Sequence, residues 1–504
     1  MKIKTLLFIL TIILFGFKAK AGTVSYEDAL HKALSFLHCT DKQASISMFS
    51  LSGKADMYKV VTNNGWVLLS SERSIKPVLA YSYEETFPDI EDMPDGMKWL
   101  FSYYEDAIAH VRQHPNEYNN INAWDDSCDE FTDTRETVCL TRLGEVKWGQ
   151  CLNNSLSCIK SYNKFCPTFH DVCCGGTYAG CGAVALGQVL WFYQWPHAAL
   201  IPTQMLNDNG QVSSTNSCKF YDWNLMPEAI YHSTTSNQAD EVAALLRDCG
   251  YAAHMQYKID ASYTNVVNLT NALRENFEYT EVYYRDRASY NGNWVELMKS
   301  EIRNGHPVIY RGAHPTKSNS SIGHFFILYG FENNHFMINW GWQGSGNSTF
   351  YTLDSLFING SHYNDGQYAI LNIQPTYPAC HSLFVSPLEH WTTNFLVQNG
   401  GGITVQNKII TSGMQGGIFS GDYVRLNGPV RITQGASVVI GIRDMHCDDR
   451  DMLFSPEHME ASTFAPSSIQ DNRDIPSVKK VFRNGQLLIL REGKTYSITG
   501  QKVE

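Results

Sequence analysis

One cysteine in the chain lies at a junction that strongly limits how the surrounding residues can fold. Cys181 stands in the sequence Ala-Gly-Cys-Gly-Ala, and the residues from Val184 to Trp195 are almost all apolar before Pro196. Small residues on both sides permit a tight turn, and the apolar run predicts a buried helix that begins near the cysteine. The positive end of a helix dipole lowers the pKa of a thiol placed there. Cys181 is therefore a candidate nucleophile, and a buried or disulfide-bonded cysteine is the alternative.

The size and charge of the chain define its general class. It has 504 residues, of which 43% are hydrophobic and 18% are charged. This composition is typical of a globular protein, and the length predicts about three folding units. The formal net charge of −11 argues against nucleic acid or an anionic membrane surface as the main partner.

The first residues predict export. Lys2 and Lys4 precede an apolar stretch of secretory length, and Ala19-Lys20-Ala21 forms an A-x-A cleavage site. These are the parts of a signal peptide, here residues 1–21, and the apolar stretch is too short for a stable transmembrane helix. The expected location is therefore secreted or at the cell surface.

Export would allow the cysteines to form disulfides. Apart from Cys181 there are twelve, an even number that would allow all of them to pair and leave one free thiol. Five cysteines between Cys151 and Cys174 could alternatively bind zinc, but their irregular spacing favours disulfides. We expect neither a metal nor a cofactor.

Periodicity and composition divide the chain further. A helix behind Ser25, a hairpin around Asn63-Asn64-Gly65 and an amphipathic helix over 97–111 predict a small α+β unit, which an acidic linker follows. The central unit shows helices over 240–249, 263–277 and 294–303, then strands over 307–310, 324–329, 335–340 and 350–353. Helices followed by antiparallel strands predict a two-lobed α+β architecture. The predicted divisions are 1–21 (signal peptide), 22–139 (α+β unit), 140–375 (central unit), 376–454 (all-β module), 455–477 (linker) and 478–504 (tail with a hairpin).

A cysteine nucleophile needs a base, a group that orients the base and donors for an oxyanion. His324 follows Cys181 by 143 residues at the head of an apolar strand, and Asn339 comes fifteen residues later. This order is typical of papain-like enzymes. Asn339 or Trp340 could orient the imidazole, and Gln150 could donate to an oxyanion together with the backbone N–H of Cys181. Singly, His324 could be a strand-end histidine and Gln150 a surface glutamine, whereas their conjunction in this order is specific.

Four motifs extend the pattern around these residues. They are Trp148-Gly-Gln150, Gly180-Cys-Gly-Ala-Val-Ala-Leu-Gly-Gln188 with Trp195-Pro196, Gly323-His-Phe-Phe-Ile-Leu-Tyr-Gly330, and Asn339-Trp-Gly-Trp342. From about 140 to 374 the chain resembles the streptopain (C10) cysteine peptidases. The resemblance implies a papain-related fold, Cys181 and His324 as a catalytic dyad, Gln150 in the oxyanion hole and Trp340 packed beside the histidine. It also implies a preference for an apolar residue two positions before the cut.

Other segments resemble accessory parts of such enzymes. Residues 22–115 resemble the inhibitory propeptide of the same family, which implies a zymogen. The segment Asn484–Val503 resembles type IX secretion sorting domains, and Ser420–Gly435 resembles the β modules that precede them, which implies outer-membrane secretion machinery as a partner. The alternative for the tail is a β-hairpin that docks on its neighbour. Gly182 and Tyr329 depart from the family's usual residues, and these departures concern substrate preference rather than the dyad.

The sequence therefore predicts an α+β protein with a papain-like two-lobed peptidase domain, a small α+β prodomain before it and a small all-β module after it. The predicted function is a secreted cysteine endopeptidase, made as a zymogen, that hydrolyses proteins or peptides through a thioester. Its own propeptide is the expected inhibitor. Two alternatives remain open: a thiol amidase for a non-peptide amide, and a non-catalytic surface protein with a degenerate site.

Overall fold

A computed structural model describes most of the chain in two compact units. The described residues are 22–39, 44–118, 123–124, 136–151, 158–167, 177–206, 212–258, 261–313, 323–353, 366–385, 391, 393–443, 445–447, 478–483, 486–491, 494–497 and 502–503. The first unit comprises Met1–Phe192, Leu225–Thr270 and Val282–Ile373, and the second comprises Tyr193–Asn224, Asn271–Glu281 and Gln374–Glu504. The predicted signal peptide, the linker over 455–477 and most of the acidic linker lie outside the described residues. Across the described part of the chain, no helix has the length and apolar character needed to cross a membrane.

The chain begins with the small α+β domain that the sequence predicts. Ser25 caps the first helix by accepting a hydrogen bond from the N–H of Asp28 at 3.0 Å, which satisfies one of the free donors of a helix start. The long second helix buries one apolar face against the sheet, as its periodicity predicts. The elements are α1 (Tyr26–Phe36), β1 (Ser45–Phe49), β2 (Met57–Thr62), β3 (Gly65–Leu69), β4 (Val78–Ser82), α2 (Asp95–Gln113) and α3 (Pro115–Tyr118).

The central region confirms several predicted elements. A helix begins at Cys181, and another spans Trp294–Arg303 behind an Asn293 cap. The helix predicted over 263–277 is shorter, because a π-helical turn over Ala272–Asn276 follows its first six residues. The elements are β5 (Thr137–Cys139), α4 (Thr141–Glu145), α5 (Cys181–Tyr193), β6 (Ala198–Leu206), β7 (Val212–Phe220), α6 (Ser236–Ala252), α7 (Val266–Asn271), β8 (Tyr283–Asp286), α8 (Trp294–Arg303), β9 (Val308–Ala313), β10 (Gly323–Glu332), β11 (His335–Asn339), β12 (Phe350–Thr352) and β13 (Tyr368–Leu371).

One antiparallel sheet of eleven strands joins the N-terminal domain to the central region. Its order is β1-β2-β3-β4-β12-β11-β10-β9-β13-β8, and β5 pairs with β10 off this path. The two regions meet where Tyr81 of β4 is registered with Phe350 of β12. The Tyr81 hydroxyl donates to Glu332 Oε2 at 2.5 Å, and His335 Nε2 lies 3.0 Å from the Val78 carbonyl oxygen. The N-terminal domain therefore extends the central sheet by four strands.

The C-terminal module is all-β, as predicted, and its strands run parallel. Leu383, Ile403 and Val424 are registered neighbours on three successive strands, 20 and 21 residues apart in sequence. Parallel strands at a constant spacing describe three coils of a β-solenoid, whose interior is filled by a separate apolar cluster. The strands are β14 (Leu383–Val385), β15 (Phe395–Asn399), β16 (Ile403–Gln406), β17 (Ile409–Ile410), β18 (Gln415–Ser420), β19 (Val424–Asn427), β20 (Arg431–Ile432) and β21 (Ser437–Ile442).

The tail continues one sheet of the solenoid. Its strands are antiparallel, and the first of them pairs with β21. The predicted hairpin corresponds to the second and third strands of the tail. The strands are β22 (Val478–Arg483), β23 (Gln486–Arg491), β24 (Lys494–Ser497) and β25 (Lys502–Val503).

The cysteines depart from the predicted pairing. Cys380 and Cys447 form a disulfide, and Cys151 and Cys158 are also disulfide-bonded. The prediction that Cys181 is the one free thiol is wrong, since five further described cysteines are free: Cys39, Cys139, Cys166, Cys218 and Cys249. Burial raises the pKa values of Cys166 and Cys218 to about 12. Such thiols behave as small apolar side chains of the core.

The second unit contains a carboxyl group, that of Glu278, whose pKa is raised by burial. Gln398 of β15 donates to Glu278 Oε1 at 2.8 Å, and the Glu278 carbonyl accepts from the N–H of Thr376 at 2.7 Å. Burial raises the pKa of Glu278 to about 7, against the opposing effect of the Gln398 hydrogen bond. The native unit therefore holds a proton that an unfolded chain releases near pH 4.5.

This proton makes the stability of the second unit depend on pH. A carboxyl whose folded pKa is raised contributes fully below its unfolded pKa, and the contribution is lost as pH rises through about 7. We expect the melting temperature of this unit to decrease as the pH is raised from about 5 to about 8.5. The corresponding loss in the free energy of unfolding is of order ~2 kcal/mol, and it should be absent in Glu278→Gln. Calorimetry across this pH range measures both effects. Glu281→Gln, at an exposed position of the same segment, is the control, and an unchanged pH slope in Glu278→Gln would contradict the assignment.

Candidate active site

The start of α5 is built to place a thiol at a helix N-terminus. Gly180 has a φ of +89°, and a methyl group there would lie 2.8 Å from the Met255 sulfur. Only glycine satisfies both conditions without strain. Cys181 follows as the first residue of the helix and is partly exposed. A methyl group on Gly182 would approach Thr264 Cγ2 to 2.8 Å, which explains the small residue after the cysteine.

The strand β10 brings His324 to this thiol. His324 is 8% exposed and forms a side-chain hydrogen bond with Cys181. The next residue, Phe325, directs its backbone N–H to the Cys181 sulfur at 3.4 Å. The structure therefore brings together the two residues that the sequence pairs as nucleophile and base. The Phe325 amide is a third contributor, which no side-chain pattern could reveal.

Electrostatics favour a charged pair at this site. Burial opposes the thiolate, but the imidazole of His324, its hydrogen bond and the N–H groups of Phe325 and Gly182 together lower the pKa of Cys181. Burial likewise opposes the imidazolium, but the Cys181 thiolate outweighs it and raises the pKa of His324, with smaller help from the Trp340 carbonyl and Asp95. Each charge stabilises the other, so the pair is poised for nucleophilic chemistry.

Trp340 orients the imidazole through its backbone. His324 Nε2 lies 3.2 Å from the Trp340 carbonyl oxygen, and a carbonyl acceptor requires the proton on Nε2. The other ring nitrogen, Nδ1, is then the one that faces the thiol. The Trp340 ring is fully buried, and its Nε1 donates to the Tyr351 hydroxyl at 3.2 Å. This agrees with the expectation that Trp340 packs beside the histidine.

The hydrogen bonds of Asn339 go elsewhere. Its Nδ2 donates to the carbonyl oxygens of Leu143 and Val146, both at 2.8 Å, and its Oδ1 accepts from the N–H of Gly341 at 2.9 Å. Asn339 is 1% exposed. Of the two residues that the sequence offered as orienting groups, the structure places Trp340 against the imidazole and uses Asn339 to fix the chain around α4.

Gln150 lies close to the start of α5. Its carbonyl oxygen accepts from the N–H of Ala179 at 3.0 Å, two residues before Cys181. The preceding residue, Gly149, forms a β-bridge with Trp342. The backbone at Gln150 and at the residue before it is therefore hydrogen-bonded to the turn before Cys181 and to the segment after Trp340.

The N-terminal domain packs on the imidazole. A methyl group on Gly96, in the first turn of α2, would lie 2.5 Å from both His324 Cδ2 and Trp340 Cε3. One turn further on, the Trp99 ring occupies the space beside Gly312, which is registered with His324 across the β9–β10 pair. No sequence pattern predicts this contact, because the close approach requires only a missing side chain at Gly96.

A thiol and an imidazole paired at a helix start, inside an α+β fold with a domain over the site, form an arrangement typical of cysteine peptidases. Comparisons with known proteins agree. Residues 158–351 match the Peptidase C10 family, and residues 21–108 match the Spi protease inhibitor family. The central part of the chain is thus similar to C10 cysteine peptidases, and its N-terminal part is similar to Spi-type inhibitors.

Individual proteins show the same similarity. The thiol protease/hemagglutinin PrtT of Porphyromonas gingivalis is 25% identical over 385 residues, which cover 71% of this chain and 42% of PrtT. Streptopain of Streptococcus pyogenes is 23% identical over 352 residues, which cover 64% of this chain and 82% of streptopain. The solved structure of a prointerpain A fragment from Prevotella intermedia has a TM-score of 0.52 at 22% identity, and the match covers 66% of this chain and 100% of the fragment. The last similarity shows the fold, including a domain that precedes the peptidase.

The bonds of Asn339 lead to a test of its role. Asn339→Ala leaves the Leu143 carbonyl and the Gly341 N–H without this partner, and the Val146 carbonyl keeps only the longer bond from Asn347 at 3.5 Å. Each buried group that loses its partner costs about 1–3 kcal/mol. We expect a lower melting temperature, while the acid and alkaline limits of the pH–rate profile of the folded variant stay unchanged. Thermal denaturation and the pH dependence of kcat/KM measure the two effects. Asn291→Ala, at an exposed position, is the control. A shifted pH profile with unchanged stability would instead make Asn339 an orienting group for the histidine.

Proposed function

We propose that this protein is an exported cysteine endopeptidase that is made as an inactive precursor and cuts peptide bonds through a thioester. The main evidence is the hydrogen-bonded pair of Cys181 and His324 at the start of α5. Their pKa values are shifted in opposite directions, which favours the thiolate and the imidazolium. Its position in a C10-type peptidase domain supports peptide substrates.

The reaction follows from the geometry. The Cys181 thiolate attacks the carbonyl carbon of the substrate, and the new C–S bond forms as the carbonyl π electrons move to oxygen. His324 then donates its Nδ1 proton to the leaving amine as the C–N bond breaks. The Trp340 carbonyl holds the Nε2–H throughout, so the ring keeps Nδ1 toward the substrate. Water activated by the neutral imidazole hydrolyses the thioester and restores the pair.

The oxyanion needs donors on the other side of the carbonyl. We assign this role to the backbone N–H of Cys181 and to the side-chain amide of Gln150. The first N–H groups of a helix have no intrahelical acceptor, so that of Cys181 is suited to a ligand. Gln150 is supported by the Ala179–Gln150 hydrogen bond, which brings its backbone to the same turn.

Two other functions remain to be separated by experiment. A thiol amidase would use the same pair on a non-peptide amide, and casein zymography of the processed enzyme distinguishes it, because only an endopeptidase clears the gel. A surface protein with a degenerate site would fail to react with an epoxysuccinyl inhibitor, which alkylates an activated active-site thiol.

The paired residues should act as one unit. We expect Cys181→Ala and His324→Ala each to abolish peptide hydrolysis while the melting temperature stays close to that of the wild type. The double variant should lose no more than either single variant, since each replacement already removes the pair. The effect is measured as kcat/KM for the hydrolysis of a fluorogenic peptide. His306→Ala, at a position outside the site, is the control. Appreciable hydrolysis by either single variant would refute the assignment.

Latency is explained by the position of the N-terminal domain. Gly96 and Trp99 of α2 occupy the imidazole side of the site, where the leaving half of a substrate would have to lie. The dyad itself is assembled beneath them. We therefore propose that the domain inhibits by covering the site, and that a cut between about residues 116 and 140 releases it.

Gly96 offers a test of this contact. Alanine is favoured over glycine inside a helix by about 1 kcal/mol, so Gly96→Ala should not weaken α2 itself. Its methyl group would nevertheless overlap His324 and Trp340, and overpacking costs about 1–3 kcal/mol. We expect the uncut precursor of this variant to hydrolyse a fluorogenic peptide at least about tenfold faster than the wild-type precursor. The activity is measured before any change of size on a gel. Glu91→Ala, at an exposed position of the same domain, is the control, and full latency of Gly96→Ala would refute the covering contact.

Export and sorting rest on the sequence. The signal-peptide features of residues 1–21 support export, and the resemblance of residues 484–503 to type IX sorting domains supports recognition by an outer-membrane secretion machinery. The four-stranded antiparallel form of the tail is compatible with either sorting or docking on the solenoid.

A further inference from the structure

A cationic side chain lies on the strand next to the catalytic histidine. Arg311 of β9 is registered with Phe325 of β10 on one side and with Tyr368 of β13 on the other. Registered residues of antiparallel strands share a face of the sheet, and alternate residues of one strand do so as well. Arg311, Phe325, Tyr368 and Gly323 therefore form one row, and His324 belongs to the opposite face.

The guanidinium of Arg311 lies directly against the backbone that carries the histidine. A methyl group on Gly323 would come within 2.7 Å of Arg311 Cζ and within 2.8 Å of Arg311 Nε. Because Gly323 has no side chain, the guanidinium can occupy this space, one residue before His324. Burial lowers the pKa of Arg311, and Tyr368 and the Cys181 thiolate act against this effect.

The described partners of Arg311 are neutral. Arg311 Nη1 donates to the Gly366 carbonyl oxygen at 3.2 Å, and Arg311 Cζ lies 5.7 Å from the centre of the Tyr368 ring. No carboxylate of the described residues forms an ion pair with Arg311. A guanidinium has five N–H donors, and a half-buried cation gains most from a hydrogen-bonded anion. The described partners of Arg311 thus leave several of its N–H donors for a further acceptor.

The catalytic geometry decides which half of a substrate meets this cation. The imidazole must reach the leaving nitrogen, so the amine half of the substrate lies on the face of His324, where Gly96 and Trp99 pack in the precursor. On this reasoning the acyl half meets the opposite face, on which Arg311 is partly exposed and Phe325 is buried. Successive residues of an extended chain are about 3.3–3.6 Å apart, so one or two residues before the cut span this region.

We propose that Arg311 is a specificity-determining residue that makes the enzyme prefer an aspartate or glutamate side chain within two residues before the scissile bond. The inference rests on the proposed peptidase function. It replaces the apolar preference that the family resemblance implies by a preference for an acidic residue.

The experiment compares matched peptides on the processed enzyme. Fluorogenic peptides carry Glu, Gln or Lys at the first or second residue before the cut and are otherwise identical. An epoxysuccinyl inhibitor titrates the active sites, so that kcat/KM refers to active enzyme in each sample. For the wild type we expect the Glu peptide to exceed the Gln peptide at least about tenfold in kcat/KM at one of these positions, as a charge-assisted hydrogen bond allows. This ratio should fall as salt is raised.

Substitutions of Arg311 test whether this side chain causes the Glu/Gln ratio in kcat/KM. Arg311→Gln should bring the Glu/Gln ratio close to one, Arg311→Glu should favour the Lys peptide, and Arg311→Lys should restore part of the wild-type ratio. Arg285→Gln, an exposed arginine on β8, is the matched control and should keep the full ratio. Efficient cleavage with no preference for Glu, or a ratio that survives Arg311→Gln, would overturn the inference and leave the peptidase assignment intact. Failure of the wild type to cleave any of the peptides or casein would overturn both.

Discussion

The contact between the first residue of α5 and the first residues of β10 is the interaction on which the site depends. Two consecutive residues of the strand serve one sulfur atom: His324 through its ring and Phe325 through its backbone N–H. Successive side chains of a strand point to opposite faces, so the ring approaches from one side while the amide approaches along the strand. Burial works against both charges, and their mutual attraction favours the charged form against this effect. A shift of the helix relative to the strand would remove both contributions together.

The neighbouring strand keeps this contact in place. The Trp340 carbonyl fixes the proton of the imidazole, while Asn339 ties the same end of β11 to the carbonyl groups around α4. The orienting group is therefore a backbone atom, and its position depends on a buried side chain one residue earlier. The side chains of the Asn-Trp-Gly-Trp motif have separate tasks, since one fills the core and another satisfies backbone groups.

The sequence predicts this site better than it predicts its surroundings. Cys181 and His324 could be predicted because their side chains form the pair and their spacing is characteristic. Helices such as Trp294–Arg303 could be found because capping and periodicity are local signals. The Trp340 carbonyl, the Phe325 amide and the close approach of Gly96 could not be found, since each is a backbone feature brought into place by tertiary packing. The parallel direction of the solenoid strands and the free thiols of the core were missed for a related reason: both depend on which distant residues become neighbours.

The pairing of β4 with β12 has a further consequence for the processed enzyme. In the precursor, β12 lies inside the sheet, with β4 on one side and β11 on the other. Removal of the N-terminal domain takes away β4 and turns β12 into an edge strand, with backbone N–H and C=O groups that no longer have a neighbour. The short length of β12, three residues, limits how much of this edge another chain could extend. The proposed cleavage would thus replace a continuous sheet by a sheet with a short open edge, so the N-terminal domain also covers the edge of this sheet.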